Sequence, residues 1–264
     1  MTDLAVIILT KDEKLHIRRC LERLAPLNPK QIFVVDCLST DGTQEIAREC
    51  GAVVVGHEWP GNQAMQFNWA LDNLPINAKW VLRIDADEYL SAGLISEIQS
   101  FVGSNGDEDI ALVELPLART WQRHRVRFGM PRKYISRLFR FGLCGYGERE
   151  MDEKLIPKEG RTIRFRHEFI DDNLNDFEWW KCKHRNYAER EARQAIGGAH
   201  GNKSLYYRFP PYLRAIAYWA VRYFLFCGFL DGRTGWSWNF WQGLWYRWLV
   251  DRKIGRMKHV GRHF

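Results

Sequence analysis

Asp85 and Asp87 flank Ala86 at the end of an apolar run, WVLRID (80–85), and Glu88 follows directly. Carboxylates two residues apart on a strand-end turn can hold one hard divalent cation together with a sugar hydroxyl. A cation there would offset the negative charge that gathers on a departing diphosphate. The spacing alone is weak, because Asp107 and Asp109 repeat it after Ser104, Asn105 and Gly106, where a solvated loop explains it. Position separates the two, since 85–87 close what reads as a central strand. A second polar cluster, VVDCLSTDGT (34–43), also ends an apolar run. The Asp36 carboxylate can accept hydrogen bonds there from a base or a ribose. Ser39, Thr40 and Asp41 suit a helix cap, and Gly42 a tight turn.

Both clusters need elements to carry them. The first hundred residues alternate apolar runs, AVIIL (5–9), IFVVD (32–36), AVVV (52–55) and WVLRID (80–85), with helical patterns at 15–24, 43–50, 63–74 and 91–102. Buried strands separated by amphipathic helices predict βαβ units, hence an α/β fold whose mostly parallel sheet is covered on both faces. Such sheets bind ligands at the carboxyl ends of their strands, so the loops after Leu9, Val35, Val55 and Ile84 should converge. Residues 110–121 and 134–141 read as further strands, 142–170 as irregular and 174–195 as helical. The Gly-rich link GGAHGNKS (197–204) sets the predicted boundary between a first domain, 1–196, and a helical appendage, 197–264.

Across 264 residues, 46% hydrophobic and 27% charged content suits a folded chain rather than a disordered one. The net charge of +7 is uneven: residues 201–264 carry eleven Lys and Arg against Asp231 and Asp251, a net of +9, which leaves −2 for the first 200. An anionic partner for the tail alone is implied. The opening MTDLAVIILTKDE has no basic region before its apolar run and reads as a first strand rather than an export signal. Six cysteines without CxxC spacing then read as reduced thiols of a cytosolic compartment, with no zinc site.

Within the tail, 212–230 is apolar but interrupted by Arg222, and 236–250 holds five of the chain's twelve Trp. A spanning helix needs ~20 apolar residues with few charges. Trp and Tyr interleaved with Arg instead suit helices lying in the headgroup layer, so residues 205–264 are expected on a membrane surface. The competing reading is a buried helical subdomain rich in cation–π pairs. Basic residues set in an aromatic, apolar segment favour lipid and argue against nucleic acid.

Six segments occur in order: TKDE (10–13), VVDCLSTDGT (34–43), GNQAMQFNWAL (61–71), LRIDADEYL (82–90), MDEKL (151–155) and HEFIDD…WKCKHRNYAEREA (167–192). Together they resemble the family 2 glycosyltransferases of the GT-A fold. The tail, with FLDGRTG (229–235), is similar to the C-terminal extension of bacterial members that build lipopolysaccharide core and exopolysaccharide. The resemblance implies a Rossmann-like GT-A sheet, a nucleotide-sugar donor with a UDP-sugar expected, a lipid-linked saccharide acceptor, and Mg2+ or Mn2+ as cofactor. It further implies that Thr10 and Glu13 line the donor pocket beside Asp36, that Asp85 meets the ribose or the metal, and that Asp87 coordinates the metal. Glu153, with Asp152 as the alternative, would be the general base. His167 would add a metal or phosphate ligand, and Arg185 and Tyr187 would close over the diphosphate.

Two positions depart from the pattern. Cys37 stands where many members carry a second Asp that reads the base, which leaves the nucleotide open. Met65 and Phe67 leave uncharged a segment that often holds Arg or Lys, so the cation together with Arg132, Lys133 or Arg137 would meet the phosphates. Each assignment also has a structural competitor. Glu153 lies among Glu148, Glu150 and Asp152 as in a solvated loop, His167 could be an ordinary hydrogen-bonding histidine, and His184 and Arg185 could be one polar helix face.

The implied reaction is an inverting displacement that forms a β-glycosidic bond, at the inner face of a bacterial cytoplasmic membrane. Two other readings compete with it. A sugar-phosphate nucleotidyltransferase wants a Gly- and Arg-rich loop after the first strand, and LTKDEKLHI has no glycine. A non-enzymatic basic membrane-binding module would account for the tail only.

Overall fold

The apolar run at 5–9 is the centre of a longer strand, β1 (Thr2–Thr10). The computed structural model describes residues 1–104, 109–146, 155–197 and 204–260. After β1 come α1 (Ile17–Leu24), β2 (Pro29–Asp36), α2 (Thr43–Glu49), β3 (Val53–Gly56), α3 (Gln63–Asn73), β4 (Trp80–Asp85), a short β5 (Glu88–Leu90) and α4 (Ala92–Gly103). Successive β1 side chains point to opposite faces and enter different cores. Leu4, Val6 and Ile8 pack with Ile17, Leu21 and Leu24 of α1 and with Leu94 and Ile98 of α4. Ala5 and Ile7 pack with Ala64, Phe67 and Ala70 of α3. Burial on both faces is why the strand is apolar at every position rather than at alternate ones.

β3, β2, β1 and β4 lie side by side and parallel, with Thr10 opposite Asp36 and Leu9 opposite Asp85. This is the expected α/β arrangement. Beyond β4 the sheet changes character. β6 (Ile110–Trp121), β7 (His124–Val126) and β8 (Lys133–Arg140) follow in sequence, and β8 runs antiparallel between β4 and β6. The stretch 142–170, read as irregular, holds β9 (Cys144–Tyr146), β10 (Leu155–Pro157), β11 (Arg161–Arg164) and β12 (Phe169–Asp171). Strands of three or four residues are too short for an alternating pattern to register.

The chain divides into two compact units, Met1–Ala118 with Arg132–Leu174, and Arg119–Pro131 with Asn175–Phe264. The division does not fall at the Gly-rich link. α5 (Phe177–Ile196) belongs with the tail helices α6 (Ser204–Arg208), α7 (Leu213–Ala220), α8 (Gly232–Trp238) and α9 (Tyr246–Val260). The reason is packing: Ala188 of α5 is buried in one apolar cluster with Leu249 and Val250 of α9. Glu191 of α5 also accepts hydrogen bonds from Tyr246 Oη at 2.9 Å and Arg247 Nη1 at 2.7 Å. Among the described residues no single helix is long and apolar enough to cross a membrane; Leu213–Leu225 and Gly228–His259 pass that test only as a pair bent by 72°.

A second aromatic cluster in this unit joins Trp121, Val126 and Trp238 to Phe177, Trp180 and Trp241. Trp180 is thus a core residue, while Trp179 is exposed beneath Lys183, whose Nζ is 4.6 Å from the ring centroid. His184 stacks on Trp180 at 3.7 Å, its Nδ1–H donates to Trp180 O and its Nε2 accepts from Gln242 Nε2. Burial pushes its imidazole down to about 4, below the ~6.5 of an unfolded histidine. A depressed histidine contributes stability that is present above the unfolded value and lost as pH falls through the window between the two. Thermal midpoints measured from pH 7 down to pH 4 should therefore fall less steeply in His184→Gln than in the wild type.

Candidate active site

The carboxyl ends of β1, β2 and β4 bring Thr10, Asp36 and Asp85 to one edge of the sheet. They are not equivalent there. Asp36 is fully buried. It accepts hydrogen bonds from Thr10 Oγ1 (2.7 Å), Ser39 N (2.7 Å), Ser39 Oγ (2.6 Å) and Gln44 Nε2 (2.8 Å). Two carboxylate oxygens offer about four lone-pair sites, so the chain itself occupies them all. Asp36 and Thr10 therefore pin the 37–44 loop in this conformation, and the acceptor capacity expected for a base or ribose is already committed. Cys37 is buried beside them and receives Gln66 Nε2 on its Sγ at 3.3 Å.

Glu13 sits in the loop after β1. Its backbone N–H donates to Thr43 Oγ1, and its Oε2 lies 2.6 Å from His16 Nδ1. The other His16 nitrogen, Nε2, accepts from Leu174 N at 2.9 Å. An accepting Nε2 puts the proton on Nδ1, so His16 donates to Glu13 and bridges it to the 172–174 segment.

Asp85 and Asp87 head the β4 turn. Beneath them, Arg137 of β8 is buried and reaches two carboxylates: Nη2 is 3.1 Å from Asp85 Oδ2 and also donates to Glu88 Oε1. Glu88 Oε2 closes the turn by accepting from Asp85 N at 3.0 Å. Arg83 adds its Nε 3.7 Å from Asp85 Oδ1 and lies over the Tyr146 ring. Burial raises the Glu88 carboxyl well above its ordinary value, with Arg137 opposing the shift. Burial also works against the Arg137 charge, yet Asp85 and Glu88 hold its guanidinium above its usual range. Arg137, one of the three candidates for the phosphates, lies under the acidic turn, where buried Glu88 and half-buried Asp85 need a cation. Arg132 of the same expectation donates to Arg166 O at 2.7 Å.

Asp87 faces the other way. Its Oδ2 accepts from Asn173 Nδ2 at 2.9 Å, and its carbonyl accepts from Asp172 N at 3.0 Å. Arg19 braces the same segment through a 2.6 Å ion pair with Asp172. Asp87 Oδ1 has no hydrogen-bond partner among the described residues, and the residue is only half-buried. That open, hard oxygen suits a divalent cation. Asp85 suits one less well, because any cation would share its carboxylate with two guanidinium groups.

His167, expected as a metal or phosphate ligand, is exposed and faces Glu97, with Nδ1 2.9 Å from Oε2. Among the described residues no group of three or more His, Cys, Asp or Glu side chains is arranged to hold a metal. Arg185 and Tyr187 lie on the exposed side of α5, in the second unit. Asp152 and Glu153 lie outside the described residues. Sequence reasoning passed over Arg83, Glu88, Asn173 and Arg19 as parts of the site. Only Arg83 had left a signal, a charge inside an otherwise apolar strand.

The family model for glycosyl transferase family 2 matches residues 5–155. An uncharacterised glycosyltransferase of Rickettsia typhi is 33% identical over 117 residues, 44% of this chain and 39% of that protein. One from Rickettsia prowazekii is 37% identical over 112 residues, 42% of this chain and 37% of that protein. The matched region thus spans about two-fifths of the length of these curated relatives. Among solved structures, glucosyl-3-phosphoglycerate synthase from Mycobacterium tuberculosis, in complex with Mn2+, uridine diphosphate and glucosyl-3-phosphoglycerate, is 21% identical. It covers 46% of this chain and 45% of its own with a TM-score of 0.36. Mannosyl-3-phosphoglycerate synthase from Rubrobacter xylanophilus is 20% identical over 44% of this chain and 41% of its own, with a TM-score of 0.37.

Removing one partner of a buried ion pair leaves an uncompensated charge and costs about 3–5 kcal/mol. Arg137→Met should therefore lower the urea midpoint sharply. Adding Glu88→Gln to it should recover part of the loss, because the two sites share one network.

Proposed function

This chain belongs to glycosyl transferase family 2, and from that premise we propose that it transfers a sugar from a UDP-sugar donor to a lipid-linked saccharide with inversion. The observation that carries the proposal is the Asp85–Asp87 turn. It ends the strand beside β1, at the sheet edge where such folds bind ligands, and one carboxylate oxygen there is open to a cation. A divalent cation, Mg2+ or Mn2+, held by Asp87 would supply charge compensation for the departing diphosphate.

The chain's own residues divide the remaining work. Asp85, held by Arg137 and Arg83, fixes the turn that presents Asp87. Glu13 and the pinned 37–44 loop border the donor, and Arg185 and Tyr187 are proposed to close over the diphosphate. Glu153, with Asp152 as the alternative, takes the proton of the acceptor hydroxyl. The acceptor oxygen then bonds to the anomeric carbon as the bond to the diphosphate oxygen breaks, so an α-linked donor yields a β-linked product.

The acceptor is proposed to be a lipopolysaccharide or exopolysaccharide precursor at the inner face of a bacterial cytoplasmic membrane. Two observations support that choice: the tail is basic and aromatic, and large apolar side chains such as Leu225, Leu230 and Trp236 are more than half exposed on the second unit.

A positioned general base contributes roughly 10²–10⁴-fold. Glu153→Gln should therefore lose transfer by that order while the donor still raises the thermal midpoint. Transfer at the wild-type rate in that variant would remove Glu153 from its role. Chelation with EDTA should suppress transfer and added Mn2+ or Mg2+ should restore it; activity indifferent to chelation would sink the cation assignment.

A further inference from the structure

The second unit contains an apolar elbow. α7 runs on through Val221–Leu225, turns at Phe226 and Cys227, and resumes at Gly228–Asp231, with a bend of 72° between the arms. Large apolar side chains stand outward on the bend: Leu225 is 75% exposed, Phe224 58% and Leu230 57%. The loop after β7 lies against it and adds the exposed ring of Phe128. Ordinary folding would turn such residues inward, and a contiguous exposed apolar surface marks an interaction site.

The elbow does not owe its shape to chance collapse. A Cβ at Gly235 would collide with the Gly228 carbonyl, so the turn that opens the second arm packs on α8 at backbone distance. Asn239 is fully buried and its Nδ2 donates to Gly235 O at 2.7 Å. Arg222, which interrupts the apolar run in the sequence, is buried under the bend and donates through Nε to Gly129 O at 3.0 Å. Gly129 N returns a bond to Phe226 O, which ties the β7 loop to the turn.

Three features fit this surface to lipid rather than to protein. Part of the tip backbone is paired within the unit: Phe226 N, Cys227 N and Leu230 N donate to Val221 O, Phe224 O and Cys227 O, which lowers the cost of taking the tip out of water. The acid of the elbow, Asp231, is committed to Arg127 N and Phe128 N at 2.8 and 2.9 Å. Beside Asp231, Arg127 and Arg233 are exposed, as are Arg123 and Arg125 of the β7 hairpin in the same unit, which complements anionic headgroups. The arm Leu213–Leu225 is about 20 Å long at 1.5 Å per residue, too short for a core of about 30 Å.

We propose that Phe224–Leu230, with Phe128 beside it, is a wedge that enters the headgroup–acyl boundary of an anionic bilayer. The proposal rests on the membrane-surface reading above and names the element that inserts. Flotation of the full chain with phosphatidylcholine vesicles, with and without phosphatidylglycerol, tests it. Leu225→Glu with Leu230→Glu changes only exposed positions and should cut partitioning by about tenfold or more, since each large apolar side chain kept in water forfeits its transfer free energy. The comparison pair, Leu213→Glu with Ile216→Glu on α7, should lose much less. Equal losses in the two pairs would overturn the wedge and leave a diffuse surface contact. A wild-type chain that floats with neither vesicle would overturn both the wedge and the membrane reading. A wild-type dimer that the elbow pair converts to monomer, with flotation intact, would overturn the wedge and assign the patch to a second copy of the chain.

Discussion

One buried guanidinium carries the acidic turn. Without Arg137, the sheet edge would have to bury Glu88 and half-bury Asp85 within a few residues of each other, and burial alone already raises the Glu88 carboxyl. Two like charges so close cannot both stay ionised without a nearby cation. The change in sheet direction supplies that cation. β8 pairs antiparallel with β4 at Leu82–Leu138, which sets Arg137 directly beneath the 85–88 turn. A purely parallel sheet would have offered another strand's carboxyl end there, with its own loop and no returning side chain.

Once the turn is held, the carboxylates of the sheet edge separate by function. Asp36 and Glu88 have their oxygens filled by hydrogen bonds from the chain, and both are buried. Asp85 is shared between two arginines. Asp87 alone of these four keeps an oxygen without a partner among the described residues, and it is half-exposed. Carboxylates of similar sequence context thus do different work, and the difference lies in how many donors each meets.

That distinction is what the sequence could not display. The strands AVIIL, IFVVD and WVLRID were legible because burial on both faces leaves an unbroken apolar run, and their ends located Asp36, Asp85 and Asp87 correctly at one sheet edge. Partners drawn from far along the chain were not legible. Arg137 meets Asp85 across 52 positions, and Asn173 meets Asp87 across 86. The same limit hides the division into two compact units, in which Phe177–Ile196 goes with the tail. Glycines at 197 and 198 signal a break in a helix, but which side a helix packs on depends on Ala188 meeting Leu249 and Val250, a fit that no local pattern encodes. The partner of His167 was equally out of view: its Nδ1 lies 2.9 Å from Glu97 Oε2, across 70 positions.

The tail sharpens the point, because its charge and its aromatic content each divide in space. Of the cations behind the net +9, Arg214 and Arg222 are buried. Arg214 pairs with buried Asp251, and Arg247 is mostly covered and held by Glu191. The Trp residues split as well: Trp238 is core, while Trp236 and Trp248 are exposed. Both readings of this segment therefore describe part of it. Buried arginines with aromatic neighbours build the unit, and the residues left outside set its surface. Fewer cations face solvent than the composition suggests, so salt-sensitive attraction is weaker than +9 implies. Exposed apolar side chains must then carry a correspondingly larger share of any contact this unit makes with a membrane.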